Sequence, residues 1–228
     1  VSSFTTAGIA TLSSTQIQAI PAGAVASLDL SALTTDQINA LTTKQISALS
    51  ATKINNLSAT SLSALNGAAV GAITTSVIAS LSSDQISNLS TSQISALTSL
   101  QIQALTTAQV NAMHADQIAS ISASGVSALT TTQITGLTAA IDLLAGLSTA
   151  QIPALSAANV AILTANQLNA LSTTQINSLS ATQAKALPGT QITALTTENL
   201  VALSSSAIAN LSTSALSTIS TTQLQYLT

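Results

Sequence analysis

LTTDQINALTTKQISA, Leu33 to Ala48, is one eight-residue phrase written twice. Numbered from its large apolar residue, the phrase is L-[ST]-[TSA]-x-Q-[IVL]-x-A, and it runs outward in both directions. Units begin at Phe4, Leu12 and Ile20, and a five-residue piece, LDLSA (Leu28 to Ala32), then interrupts the register. Thirteen octads follow without a gap from Leu33 to Gly136; a ten-residue unit, LTAAIDLLAG, occupies Leu137 to Gly146; ten more octads reach Tyr226. The whole chain, 1–228, thus reads as a single octapeptide-repeat solenoid with register breaks at 28–32 and 137–146. It is expected to be a segment of a longer array or a polymerising subunit.

The positions differ in strictness. Position 1 is Leu except at Phe4, Ile20, Ile73, Met113, Ile121 and Ile219, and position 6 is Ile, Val or Leu except at Ala184. Position 2 is Ser or Thr except at Pro21, Asn66, His114 and Pro188, and position 5 is Gln in 15 of the 26 regular octads. Positions 4 and 7 vary most. The strict apolar positions read as a buried seam and the loose ones as surface. One unit alone is too short to be stable, because helix nucleation is costly; its Leu and Ile need cover from neighbouring coils, as in a solenoid.

Two secondary structures compete for the unit. In the α reading, the position-2 hydroxyl is an N-cap and Gln at position 5 reaches back to the cap N–H, the capping box. Each octad is then one very short helix followed by an extended Leu-Ser/Thr pair. Asp36, Asp84, Asp116 and Glu198 all fall at position 4, in the first turn, where the helix dipole favours an anion. Pro153 at position 7 opposes this reading, since it lacks a donor that a regular helix would use. In the β reading, three octads form each triangular coil. Its corners would call for residues at positive φ, yet the eight glycines hold no fixed position. The expected fold is therefore α, with two or three octads per coil left open.

Composition excludes several functions. Charged residues are 4% and the net charge is −3, with Lys44, Lys53 and Lys185 the only cations, so no basic patch exists to neutralise nucleic-acid phosphates. No cysteine is present, so thiolate metal sites and disulfides are absent. No run of about 18 apolar residues appears, so no membrane insertion is expected, and VSSFTTAGIA lacks the basic and apolar regions of a signal peptide.

Candidate sites are few. His114, the single histidine, lies two residues from Asp116, but it occupies the cap position of an ordinary octad, MHADQIAS. It reads as a surface variant of the repeat, since a catalytic triad is defined by geometry that no repeat supplies. Neither catalysis nor a cofactor is expected, and one histidine with scattered acids does not make a metal site. GAAVG (Gly67 to Gly71) reads as close packing, and the three NLS tripeptides at Asn56, Asn88 and Asn210 as products of composition. The end units FTTAGIAT and ISTTQLQY offer Phe4, Ile9, Ile219 and Leu224 as end-to-end contacts.

The phrases LTTAQV (Leu105 to Val110) and LSTTQI (Leu171 to Ile176) resemble the octad arrays of large, repetitive bacterial surface and secreted proteins. The resemblance covers almost the whole chain. It implies an extracellular structural or adhesive protein: a filament subunit or an adhesin stalk whose main partner is itself. The alternative is a hydroxyl-rich surface that binds ice or a glycan.

Overall fold

A computed structural model describes residues 6–137 and 144–226. Every element among the described residues is helical, and most are α-helices of four to six residues, one per octad. Their origin is local. In octad Leu89, the N-cap Ser90 is extended (φ −70°, ψ 160°) and its Oγ accepts the Gln93 N–H, while Gln93 Oε1 accepts the Ser90 N–H at 2.8 Å. The same capping box closes from Ser13/Gln16 to Ser220/Gln223. Asp36, Asp84, Asp116 and Glu198 lie in first turns, as the dipole favours. No described residue has positive φ. The corners are made by extended Leu-Ser/Thr pairs, which explains why glycine has no fixed place in the repeat.

Pro153 has a visible consequence. Its segment gives up the α-helix for a turn and a 3₁₀ helix, Ile152–Ala154, and Ala154 N–H bonds the Gln151 carbonyl instead. Ile152 stays fully buried, so the side keeps its core residue.

The chain divides into two compact units, 1–113 with 120–122, and 114–119 with 123–228. In the first unit, helix Thr35–Asn39 packs on Ala59–Ala64, Thr43–Ser47 on Gly67–Gly71, and Ala51–Asn55 on Thr75–Ser80. In the second unit, Ala157–Ala161 packs on Ala181–Ala186, Ala165–Asn169 on Gly189–Ala194, and Thr173–Asn177 on Thr197–Val201. Each helix therefore meets the helix three octads on. Both units are helical solenoids with three octads per coil, which settles the count that the sequence left open.

Positions 1 and 6 form the core: Leu89 is 4% exposed and Ile94 is fully buried. The two positions are not equivalent along the solenoid axis. Ile9, Ile17 and Val25, at position 6 of the first three octads, are buried, whereas Leu216 and Leu224, at position 6 of the last two, are 43% and 50% exposed. Position 6 is therefore covered by the coil that follows.

The irregular units obey the same scheme. In a regular stretch Gln93 bonds carbonyls 31 and 28 residues back. Across LDLSA, Gln37 bonds carbonyls 28 and 25 residues back, each three nearer because that unit lacks three residues. Across the ten-residue unit, Gln151 bonds Ile118, 33 residues back, two farther. Each irregular unit thus takes the place of one octad, and the coil phase is kept. Leu28 and Leu30 are both buried, so the five-residue piece still delivers two core side chains.

Candidate functional site

The feature repeated through both units is a ladder of buried amides. Gln at position 5 does more than cap its own helix. Gln93 Nε2 donates to the carbonyls of Leu62 and Leu65 in the preceding coil at 2.9 and 2.7 Å. Gln101 reaches Val70 and Ile73, and Gln109 reaches Ile78 and Leu81. In the second unit Gln175 reaches Leu144 and Leu147, and Gln183 reaches Ile152 and Leu155. These side chains are buried; Gln93, Gln101 and Gln183 are each 1% exposed. The amide gives the position-1 carbonyl beyond the helix end a donor and adds a second donor to the position-6 carbonyl, which also accepts the position-1 N–H, as Leu62 does from Leu65; a buried carbonyl without a donor would be costly. Sequence reasoning assigned Gln to capping and missed this second bond.

In three octads that lack Gln, other side chains take over part of its work. Octad Leu65 has Ala69 at position 5, and its cap Asn66 both accepts the Ala69 N–H and donates Nδ2 to the Asn39 carbonyl at 2.8 Å. Octad Leu195 has Asn199, one methylene shorter than Gln. Its contacts to Leu168 and Leu171 stretch to 3.4 Å, and the Thr196 N–H is accepted by Asn169 of the preceding coil at 3.0 Å. Octad Leu49 has Lys53, whose Nζ donates to the Leu28 carbonyl. Some faults go uncorrected: the octad with Val77 at position 5 has no side-chain cap bond at Thr74, and at the cap position Pro188, which has no N–H, Gln191 Oε1 is buried without a partner.

Close packing accompanies the ladder. A Cβ on Gly71 would lie 2.9 Å from the Ala96 carbonyl oxygen, and one on Gly67 would lie 3.1 Å from the Ala96 Cβ. GAAVG is thus a place where two coils approach, as its small residues suggest.

His114 is exposed at its cap. Its backbone N–H goes to Gln117 Oε1, and the Gln117 N–H is accepted by Asp116 Oδ1 at 2.9 Å. Asp116 therefore acts as a local cap. Among the described residues no three His, Cys, Asp or Glu side chains gather as a metal site, and no helix is long and apolar enough to cross a membrane. Of the end contacts, Phe4 lies outside the described residues. Ile9 is 3% exposed, covered by the coil that follows; Ile219 is 9% exposed and Leu224 is half exposed. Leu216, which the sequence reading did not single out, shares that exposed apolar face. The polarity of position 6 distinguishes Leu216 and Leu224 from Ile9, and it shows only once the coil stacking is known.

No curated protein matches the chain. Two stretches, 23–59 and 142–173, match the model of the ALTTAQ repeat. These stretches contain LTTDQI and LSTAQI, whose octads build the coils described above; the chain is an octapeptide-repeat array, and these two stretches of it are similar to the ALTTAQ repeat.

Proposed function

We propose that the chain is a non-catalytic structural array outside a bacterial cell, extended coil by coil into a filament or an adhesin stalk. The observation that carries this reading is the stacking rule: among the described residues the position-6 row of one coil is covered by the next, and the row at Leu216 and Leu224 can be covered in the same way. A further coil would bury these leucines, and its Gln amides would donate to the carbonyls of the coil before it, as Gln93 does to Leu62 and Leu65. It can come from more octads of one chain or from a second copy. With 4% charged residues, little repulsion opposes such contact. Resemblance to surface arrays and the lack of cysteine support the extracellular setting. A hydroxyl face for ice or glycans has less support, because cap hydroxyls such as Thr106 Oγ1 already accept backbone N–H groups.

Sedimentation of this chain in molar sodium chloride tests the reading. Association should persist or strengthen, since screening acts on charges and apolar burial is not weakened by salt of this kind. The double variant Leu216→Asp, Leu224→Asp should remain monomeric, and His114→Ala should associate like the parent. A parent chain that stays monomeric at high concentration would rule out the filament. A native gene encoding no octads beyond these would rule out the stalk.

A further inference from the structure

The five-residue unit Leu28 to Ala32 leaves a notch in the wall of the first unit. A cleft of about 420 Å³ opens there, between this short piece and octad Leu49 of the coil above. Two of the chain's nine charged side chains stand in it: Asp29 from the short unit and Lys53 from the octad. Thr52 and Asn56 supply neutral polar groups, and Leu30 and Leu57 form the apolar part of the lining.

Both charges are anchored without being used up. Asp29 Oδ1 accepts the Ser31 N–H at 3.0 Å and the Ser31 hydroxyl at 2.7 Å, which leaves its second oxygen for a ligand. These bonds to Ser31, the hydroxyl first, hold the carboxyl below its ordinary value, so it is an acceptor at neutral pH. Lys53 Nζ spends one N–H on the Leu28 carbonyl and keeps two. The cleft thus offers an anionic acceptor and a cationic donor, and its net charge is zero.

We propose that this cleft binds a neutral sugar through a vicinal diol. Each sugar hydroxyl donates and accepts at once, so one hydroxyl can donate to Asp29 while its neighbour accepts from Lys53. Such bonds to charged partners are stronger than neutral ones. Thr52 and Asn56 add partners for further hydroxyls. The volume lies within the range of small-molecule sites, about 300–1,000 Å³. A net anion or cation gains nothing from a site of zero charge. The site belongs to a single chain and does not depend on coil addition, so a monomer would carry it too.

The test is a titration of the isotope-labelled chain with neutral monosaccharides (glucose, galactose, mannose, N-acetylglucosamine), read by amide chemical shifts, with glycine as the zwitterionic control. Saturable shifts in the millimolar range are expected at 29–31 and 52–57 for at least one sugar and not for glycine. Lys53→Gln restores the residue usual at position 5, so it should fold, and it should weaken binding about tenfold, as should Asp29→Asn. Asp84→Asn, remote from the cleft, should leave binding unchanged. No saturable shift with any sugar, equal binding by the folded Lys53→Gln chain, or shifts from glycine alone would each overturn the proposal.

Discussion

One glutamine side chain at position 5 answers at least three backbone groups, and this sets what a single residue is worth. Gln93 accepts the Ser90 N–H and donates to Leu62 and Leu65, all within a side chain that is 1% exposed. Gln93→Leu keeps the size and removes every bond, leaving buried polar groups unpaired. Each such group costs about 1–3 kcal/mol, so a loss of about 2–4 kcal/mol is expected in denaturant unfolding. Gln93→Glu separates the two roles. An ionised carboxylate can accept the cap N–H but faces two carbonyls with no proton to give. Only the protonated acid does both, so the folded state should raise this group's pKa. Stability should therefore be fully present below the ordinary glutamate value of about 4.3 and be lost as pH rises through the folded value. A variant as stable at neutral pH as at acid pH would show that Nε2 donation contributes nothing. The apolar seam has its own scale: Leu89→Ala or Ile94→Ala should cost about 2–5 kcal/mol, while exposed Lys44→Ala or Asp84→Ala should stay within about 0.5 kcal/mol. Equal losses in both groups would show that the assigned seam is wrong.

An octad survives the loss of its usual residue when a neighbour supplies the missing partner, and octad Leu195 allows this to be measured. Asn199 is too short to reach both its cap and the coil behind, and Asn169 accepts the Thr196 N–H in its place. Asn169→Ala should therefore destabilise the natural chain more than it destabilises the Asn199→Gln variant, where the restored Gln caps Thr196 itself. The coupling in this double-mutant cycle should be about 1 kcal/mol; additive effects would break the assigned link. Much at this scale was legible in the sequence. The Ser/Thr-x-x-Gln spacing marked the caps, the acids at position 4 marked the first turns, and Pro153 marked an octad that a regular α-helix does not fit, which is 3₁₀ in the structure. The inter-coil bond was less visible because capping alone accounts for Gln. Its signal lay in what position 5 omits: glutamate would complete a capping box equally well, yet none of the 26 octads uses it, and only an amide can also donate. The cleft at 28–32 could not be read at all, since it depends on which octad lies above the short unit.

Across many coils, the rule that builds the array concerns core residues more than length. A five-residue unit and a ten-residue unit each fill one side of a coil, and the Gln bonds on either side shift by the same number of residues. LDLSA succeeds because Leu28 and Leu30 are both buried, giving its side the two apolar residues that positions 1 and 6 give elsewhere. Because each helix packs on the third octad before and after it, and its Gln reaches at most the end of the fourth before it, nothing requires the total to be a multiple of three. An array of this kind can lengthen or shorten by single octads, which suits a filament or stalk whose reach varies. Stability in such a chain is close to a sum over units and their neighbours. Excising Leu89–Ala96 should then be tolerated. Gln101 would inherit the carbonyls of Leu62 and Leu65, Ala104 would take the place of Ala96 against Gly71, and helicity per residue in circular dichroism should be unchanged. Excising 89–92 removes half as many residues and should do more harm. It leaves a side with Ile94 but without a position-1 residue or a cap, at a cost of about 2–5 kcal/mol for the missing leucine alone. If the eight-residue excision proved the more damaging of the two, length and not the pair of core residues would define the unit.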